Sequence, residues 1–243
     1  MSASSTSSLA SPWKTDGLDP CLSANHGSKL PKTLVFTRSS TSKLTLTGSI
    51  AKSSLLWNPE FERRIDSMLR SVVEYSDGSL MEIRIRHCSD RSLSFVAQRV
   101  MATLIDGSAR NLQVLSIKSC PNVTDESIVK IASGCPKLRE LDVSYCYEIS
   151  YKSLALIGKN CPDLKILKRN FMNWLDLSQH VGIGDSEAAA IGKFMPHSLH
   201  LELRFSKLSA KGPVLICEGC PNLEYLDLSG CANMTGRDIV NTS

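Results

Sequence analysis

The stretch Asn111–Ser150, NLQVLSIKSCPNVTDESIVKIASGCPKLRELDVSYCYEIS, states one short pattern twice. Leu112, Leu115, Ile117 and Cys120 stand at spacings of three, two and three, and Leu138, Leu141, Val143 and Cys146 repeat those spacings 26 residues later. LSIKS alternates apolar and polar side chains, as a short strand with one buried side must, so Leu115 and Ile117 point inward while Ser116 and Lys118 face out. The second half of the unit, VTDESIVKIASGC, reads as a helix. Thr124 is a suitable N-cap, Asp125 and Glu126 suit the positive end of the helix dipole, and Ile128, Ile131 and Ala132 share one face. One strand and one helix cannot enclose their own apolar face. Stacked units share a core, so the second copy is there to cover the first.

The template L-x-x-L-x-I-x-x-C also occurs at Leu80, Ile83, Ile85, Cys88 and at Leu223, Leu226, Leu228, Cys231. Two worn copies complete the set: Leu164 and Leu167 begin one that breaks at Arg169, and Leu201 and Leu203 continue one flanked by Ser198 and Ser206. Each unit is identified as a leucine-rich repeat, and the fold class expected is an α/β solenoid of about six repeats over residues 78–243. Two insertions interrupt the period, VMATLIDGSAR before Leu112 and the stretch Phe171 to Gly184.

Ahead of the repeats, WNPEFERRIDSMLRSVVEYSDG predicts an amphipathic helix within residues 56–77. Asn58 caps it, Pro59 fits the first turn, and Glu60 and Glu62 suit the dipole. Phe61, Ile65, Leu69 and Val72 form a stripe that Met68 and Val73 widen, which caps the solenoid. Residues 1–55 differ in character. From Met1 to Ser54 there are 21 Ser or Thr and only Asp16 and Asp19 are acidic, so a disordered segment is expected, with a transit peptide as the alternative.

Composition narrows the function. The chain has 243 residues, is 42% hydrophobic and carries a net charge of +4. No apolar run approaches the ~18 residues of a membrane span, and the small, dispersed charge gives no nucleic-acid footprint. A protein partner is the expectation. Without a basic, apolar leader the nine cysteines read as reduced thiols of a cytoplasmic or nuclear protein. Cys88, Cys120, Cys146 and Cys231 fill the slot after the strand, and Cys135, Cys161 and Cys220, each followed by Pro, end the helix. Cys21 and Cys217 lack a slot. Cys217 and Cys220 form a C-x-x-C, but zinc needs about four ligands and no second pair supplies them. His197 and His200, three apart, fall on opposite faces of an extended segment. Phosphate-loop, nucleophile-elbow and metalloprotease motifs are absent, so neither an enzyme nor a cofactor is expected.

CPNVTDESIVKIASGCPKLRELDVSYC resembles the cysteine-containing leucine-rich repeats of F-box proteins. PEFERRIDSMLRSVV, GSLMEIRIRHCSDRSLSFVA and LKILKRN resemble in particular the plant F-box proteins described as Skp-interacting partners, over about residues 56 to 240. The resemblance implies repeats that hold a protein substrate, and an F-box that docks the Skp adaptor of a cullin-RING ubiquitin ligase in ubiquitin-mediated protein catabolism. Residues 1 to 55 contain no F-box-like apolar helical segment, Trp13 stands alone, and the sequence stops at Ser243 midway through a helix. This chain by itself is therefore expected to hold the adaptor poorly. A leucine-rich-repeat scaffold unconnected to ubiquitination is the alternative.

The binding surface expected is the concave sheet. Arg84, Ser116, Asp142, Lys168, Glu202 and Asp227 make one outward row, and Arg86, Lys118, Ser144, Arg204 and Ser229 make the next. Charges of both signs occur along the rows, which favours a protein or peptide of mixed charge. Tyr145, Tyr147, Phe171, Trp174 and Phe205 are candidate aromatic anchors. Protein purified under reducing conditions is expected to contain no stoichiometric zinc by elemental analysis and to need denaturation before most thiols titrate. Substantial zinc, or rapid native labelling of all nine thiols, would contradict this.

Overall fold

The computed structural model describes residues 34–36, 43–48, 59–76, 80–102, 112–172, 184–231 and 233. Two strands come first, β1 (Leu34–Phe36) and β2 (Lys43–Gly48), followed by helix α1 (Pro59–Tyr75). Strands and helices then alternate: β3 (Glu82–Arg86), α2 (Asp90–Ala102), β4 (Val114–Lys118), α3 (Asp125–Gly134), β5 (Glu140–Asp142) and α4 (Tyr151–Asn160). The order ends with β6 (Ile166–Lys168), α5 (Asp185–Phe194), β7 (His200–Glu202), α6 (Lys211–Gly219) and β8 (Tyr225–Asp227). The strands form one sheet in sequence order, and every pair from β2–β3 onward is parallel. Parallel neighbours need a crossover, and in each repeat it is the helix.

The register follows the template. Ile83, Leu115, Leu141, Leu167, Leu201 and Leu226 stand opposite one another across six strands. The first five are fully buried, and Leu226 at the end of the described strands is only partly covered. Burying each Leu or Ile contributes roughly 1.5–3 kcal/mol, so the column is the main favourable term of the stack. Against its first end lies α1, whose Ile65, Leu69 and Val73 are buried while Phe61, Met68 and Val72 pack partly buried on the same core. Residues 77–79 lie outside the described residues, as do the insertion at 103–111, the stretch 173–183, the last helix, Trp13, Cys21 and Trp174.

Strands β1 and β2 fall inside the stretch that composition marks as disordered. β1 and β2 pair antiparallel, and β2 joins the repeat sheet by setting Lys43, Leu44 and Thr45 opposite Glu82, Ile83 and Arg84. KLTLTG alternates and is rich in Thr, so it suits a strand once β3 offers unpaired backbone groups. Counting apolar residues misses that contribution.

The helices are held to one another by a polar brace that recurs from repeat to repeat. Asp90, the first residue of α2, accepts from the Thr124 N–H at 2.9 Å and its hydroxyl at 2.5 Å. Asp125 of α3 does the same for Ser150 at 2.7 and 2.5 Å, and Asp185 of α5 for Ser209 at 2.9 and 2.5 Å. Asp66 of α1 starts the series by accepting from Ser89. Thr124 and Ser150 in turn accept from the N–H of Glu126 and Lys152 as N-caps of α3 and α4. Each cap is thus oriented by the carboxylate of the repeat before it.

The thiols occupy the slots expected of them. Cys146 Sγ donates to the Ile117 carbonyl at 3.0 Å, Cys231 to Leu203 at 3.3 Å, and Cys88 and Cys120 meet at 3.4 Å. In the second register Cys161 donates to the Cys135 carbonyl at 3.3 Å and Cys220 to that of Met195 at 3.4 Å. Burial pushes the Cys161 thiol up to about 12 and the Cys220 thiol to about 11, which suppresses the reactive thiolate.

Asp125→Ala is expected to cost about 1–3 kcal/mol in urea unfolding, because the Ser150 donors lose their acceptor while α4 keeps its own cap. Burial opposes ionisation of Asp125, but the Ser150 bonds outweigh it and hold the carboxyl below its ordinary 3.8. Its contribution is complete above pH 3.8 and is lost as pH falls below that value, so the variant's deficit should shrink in acid.

Candidate protein-binding face

Outward side chains of β3–β8 line the concave side of the stack, and the strand register decides which of them meet. Arg84, Ser116, Asp142, Lys168, Glu202 and Asp227 stand in one row. Arg86 and Lys118 begin the next, and backbone bonds beyond the strands continue it: Ser119, Tyr145, Phe171 and Phe205 donate to the carbonyls of Ser144, Asn170, Arg204 and Ser229. Both rows anticipated from the repeat period are therefore geometrically real, with Asn170 filling the gap between Ser144 and Arg204.

The mixture of signs along the sequence becomes layering in space. Lys118 Nζ meets Asp142 at 2.9 Å, Lys168 meets Glu202 at 2.7 Å and Arg204 meets Asp227 at 2.5 Å. In each pair the carboxylate is the deeper partner: side-chain exposure is 36% against 1%, 26% against 15% and 46% against 9%. Arg84 likewise rests on Glu140 through both terminal nitrogens, at 2.9 and 3.0 Å, and on Glu82 at 2.6 Å. Ser116, Asp142 and Ser144 are buried, so they form the floor of the face rather than its contact surface.

The buried carboxylates are tied down by further bonds. Asp142 accepts from the Ser144 N–H at 3.1 Å, and Asp227 from the Ser229 N–H at 3.0 Å. Burial opposes ionisation of Glu202, but Lys168, His200 and Asn170 outweigh it and bring its carboxyl down to about 2. Asp227 is also brought to about 2, against burial, by Ser229 and Arg204. The hydrogen bond to Glu140 raises Arg84. Glu202, Asp227 and Arg84 carry full charge at neutral pH.

A further row, unanticipated from the sequence, comprises Glu82, Val114, Glu140, Ile166, His200 and Tyr225. The His200 ring donates from Nε2 to the Glu202 carboxylate at 3.0 Å and stacks on Tyr225, ring centres 4.3 Å apart and planes 13° apart. Tyr225 is an exposed aromatic whose hydroxyl lies 3.3 Å from Asp227. The period-two pattern marks this row as outward, but its position at the strand entrance hid it.

The aromatic candidates separate by burial. Phe171 is buried, with the Arg169 guanidinium 4.6 Å from its ring centre and Tyr147 at 5.8 Å, so it packs. Tyr145 and Phe205 occupy the left-handed backbone region at φ 64° and 57°, as do His87 and Ser119 in the equivalent place of other repeats. Such a residue costs roughly 1–2 kcal/mol relative to ordinary backbone. Phe205 is exposed and lies over Gly230, where a Cβ would come within 2.4 Å of its ring.

Arg169 is the residue whose role sequence reasoning missed. It takes the second inward slot, occupied by Ile85, Ile117, Val143, Leu203 and Leu228 elsewhere, and it is fully buried. Its Nε donates to Glu187 at 2.9 Å, Nη1 to the Cys146 carbonyl at 2.6 Å, and Nη2 to the Ile149 carbonyl. Burial pushes the Glu187 carboxyl up while Arg169 draws it down, and Glu187 Oε2 has no partner among the described residues. This pair sits where the polar brace fails: α4 begins with Tyr151 instead of Asp, and α5 is preceded by Gly184, which offers no side-chain cap. Asn170 ties the same junction to the face, donating to Ser144 at 3.2 Å and to Glu202 at 3.0 Å and accepting the Arg204 N–H at 3.0 Å.

A sheet of parallel strands in sequence order, each returned by an outer helix, with aligned apolar columns, defines a leucine-rich-repeat solenoid. The family described as "Leucine Rich repeat" matches residues 219–239. F-box protein SKIP1 of Arabidopsis thaliana is 53% identical over 205 residues, spanning 79% of this chain and 65% of the relative. Putative F-box/LRR-repeat protein 19 of the same plant is 51% identical over 208 residues, with coverages of 80% and 66%, and putative F-box/LRR-repeat protein 9 is 33% identical, with coverages of 75% and 69%. The chain belongs to the F-box/LRR-repeat protein family. It spans slightly less than two thirds of the length of the first two relatives.

Arg169→Leu is expected to destabilise the chain by about 3–5 kcal/mol in urea unfolding, since Glu187 is left as a buried charge without its partner. Arg169→Leu/Glu187→Leu should recover part of that. The remaining deficit, about 1–3 kcal/mol, reflects the Cys146 and Ile149 carbonyls that lose their donors. A double variant no better than the single would show that the pair is not coupled.

Proposed function

We propose that this chain is the substrate-recognition part of an F-box-type SCF ubiquitin ligase, acting in ubiquitin-mediated protein catabolism by binding rather than by catalysis. The observation that carries the reading is the identity of 53% and 51% to F-box/LRR relatives over 79% and 80% of this chain. The concave face supplies the contact surface in this reading: Arg84, Arg86, Lys118, Lys168, Glu202, Arg204 and Ser229 toward a protein substrate, with Ser116, Asp142, Ser144 and Asp227 beneath them. The Skp adaptor, and through it a cullin, would be held by an F-box rather than by the repeats. No described helix is long and apolar enough to cross a membrane, which fits a partner met in the aqueous phase.

Purified Skp adaptor tests the division of labour. A version carrying an F-box upstream of Trp57 is expected to be retained on immobilised adaptor, and the chain as it stands much less. Equal retention of both would move docking onto the repeats or α1. Loss of adaptor binding in the F-box version would favour a repeat scaffold unconnected to ubiquitination.

A further inference from the structure

Among the described residues, the concave face is a layer of cations resting on a layer of carboxylates, which is a more specific property than a mixture of signs. Each of Asp142, Glu202 and Asp227 is the deeper partner of its pair and is held by a backbone or side-chain donor as well as by its cation. The cations retain unused donors. Lys118 and Lys168 each spend one of three ammonium hydrogens on a carboxylate, and Arg204 bonds Asp227 through Nε, with further N–H donors on its Nη groups. Arg86 is exposed and makes no ion pair among the described residues. Beside these tips, in the entrance row, lie half-buried Ile166 and exposed Tyr225.

From this layering we infer that the concave face binds an extended, carboxylate-rich segment of a partner protein. It runs across the strands with its acidic side chains on Arg86, Lys118, Lys168 and Arg204 and an apolar side chain against Ile166 or Tyr225. The inference rests on the concave face being the contact surface and adds the chemistry of what it contacts. Strands stand about 4.8 Å apart, so the reach from Arg86 on β3 to Arg204 after β7 is roughly 19 Å, about six residues of extended chain. The carboxylates below hold the net field near neutrality. That suits singly charged Asp and Glu, each taking spare donors of one cation, better than the concentrated charge of a phosphate or a nucleic acid.

The test is fluorescence anisotropy of the whole chain with a fluorescein-labelled dodecapeptide of Glu-Ser-Leu repeats. Matched Gln-Ser-Leu, Lys-Ser-Leu and phosphoserine-bearing peptides run alongside it. The Glu peptide is expected to bind at least about tenfold more tightly than the Gln and Lys peptides, and to weaken as salt rises. Arg86→Gln removes a cation that supports no carboxylate, so its fold is not at stake. Combined with Lys168→Gln, it should weaken the Glu peptide by about tenfold while circular dichroism is unchanged. No measurable binding of the Glu peptide, equal binding of the Gln peptide, or a clear preference for phosphoserine would each overturn the inference. If a Gln or Lys peptide binds best and the same double variant abolishes it, the acidic preference falls while the concave face survives as the contact surface. Glu-peptide binding that is indifferent to the double variant would remove both.

Discussion

Leu115 and Ile117 face inward from β4, and nothing in their own repeat is wide enough to cover them. That constraint organises the molecule. Leu141 and Val143 of the next unit complete the cover, and they are exposed in turn until Leu167 arrives. Stability therefore resides at junctions between units more than within them, and each residue type is chosen for what the neighbouring unit presents. A helix pair shows the same economy: a Cβ on Gly192 would lie 2.2 Å from the Leu215 carbonyl, so α5 and α6 approach backbone to backbone only because glycine stands there.

Apolar columns alone do not fix the height at which one helix meets the next, since Leu and Ile slide over one another with little penalty. The directional element is polar. Asp66, Asp90, Asp125 and Asp185 each hold by two bonds the Ser or Thr just ahead of the following helix, which sets both its position and its orientation. At the α4–α5 junction, where Tyr151 and Gly184 replace the required pair, a buried guanidinium performs the task from the sheet side. Arg169 binds two carbonyls of the preceding turn and the Glu187 carboxylate of the covering helix. Burying an ion pair is seldom the most stable choice, but it is a selective one.

Much of this was legible in the sequence. The spacing of Leu138, Leu141, Val143 and Cys146 announces strand, turn and thiol slot because a repeat writes its geometry several times over. The α1 stripe and the Thr124 cap follow from local chemistry. Arg169 was legible only as an interruption, since nothing local indicates that a buried cation will find Glu187 eighteen positions later and two carbonyls behind it. The outward rows could be named, but which member of each ion pair lies deeper depends on side-chain length and cross-strand register, which no single repeat encodes. β2 was hidden because its partner strand, not its own composition, gives it a place.

The Arg169 junction also bears on how such a chain can change over generations. Units built on interchangeable columns and matching Asp braces, such as those of β3 and β4, can be duplicated or lost by unequal recombination with their neighbours still matched. The unit of β6 cannot be exchanged in that way. Its guanidinium requires the particular carbonyls of Cys146 and Ile149 before it and a helix bearing Glu187 after it, so it moves only together with both flanks. Within an otherwise modular array, this seam gives the repeats an order that recombination has to respect.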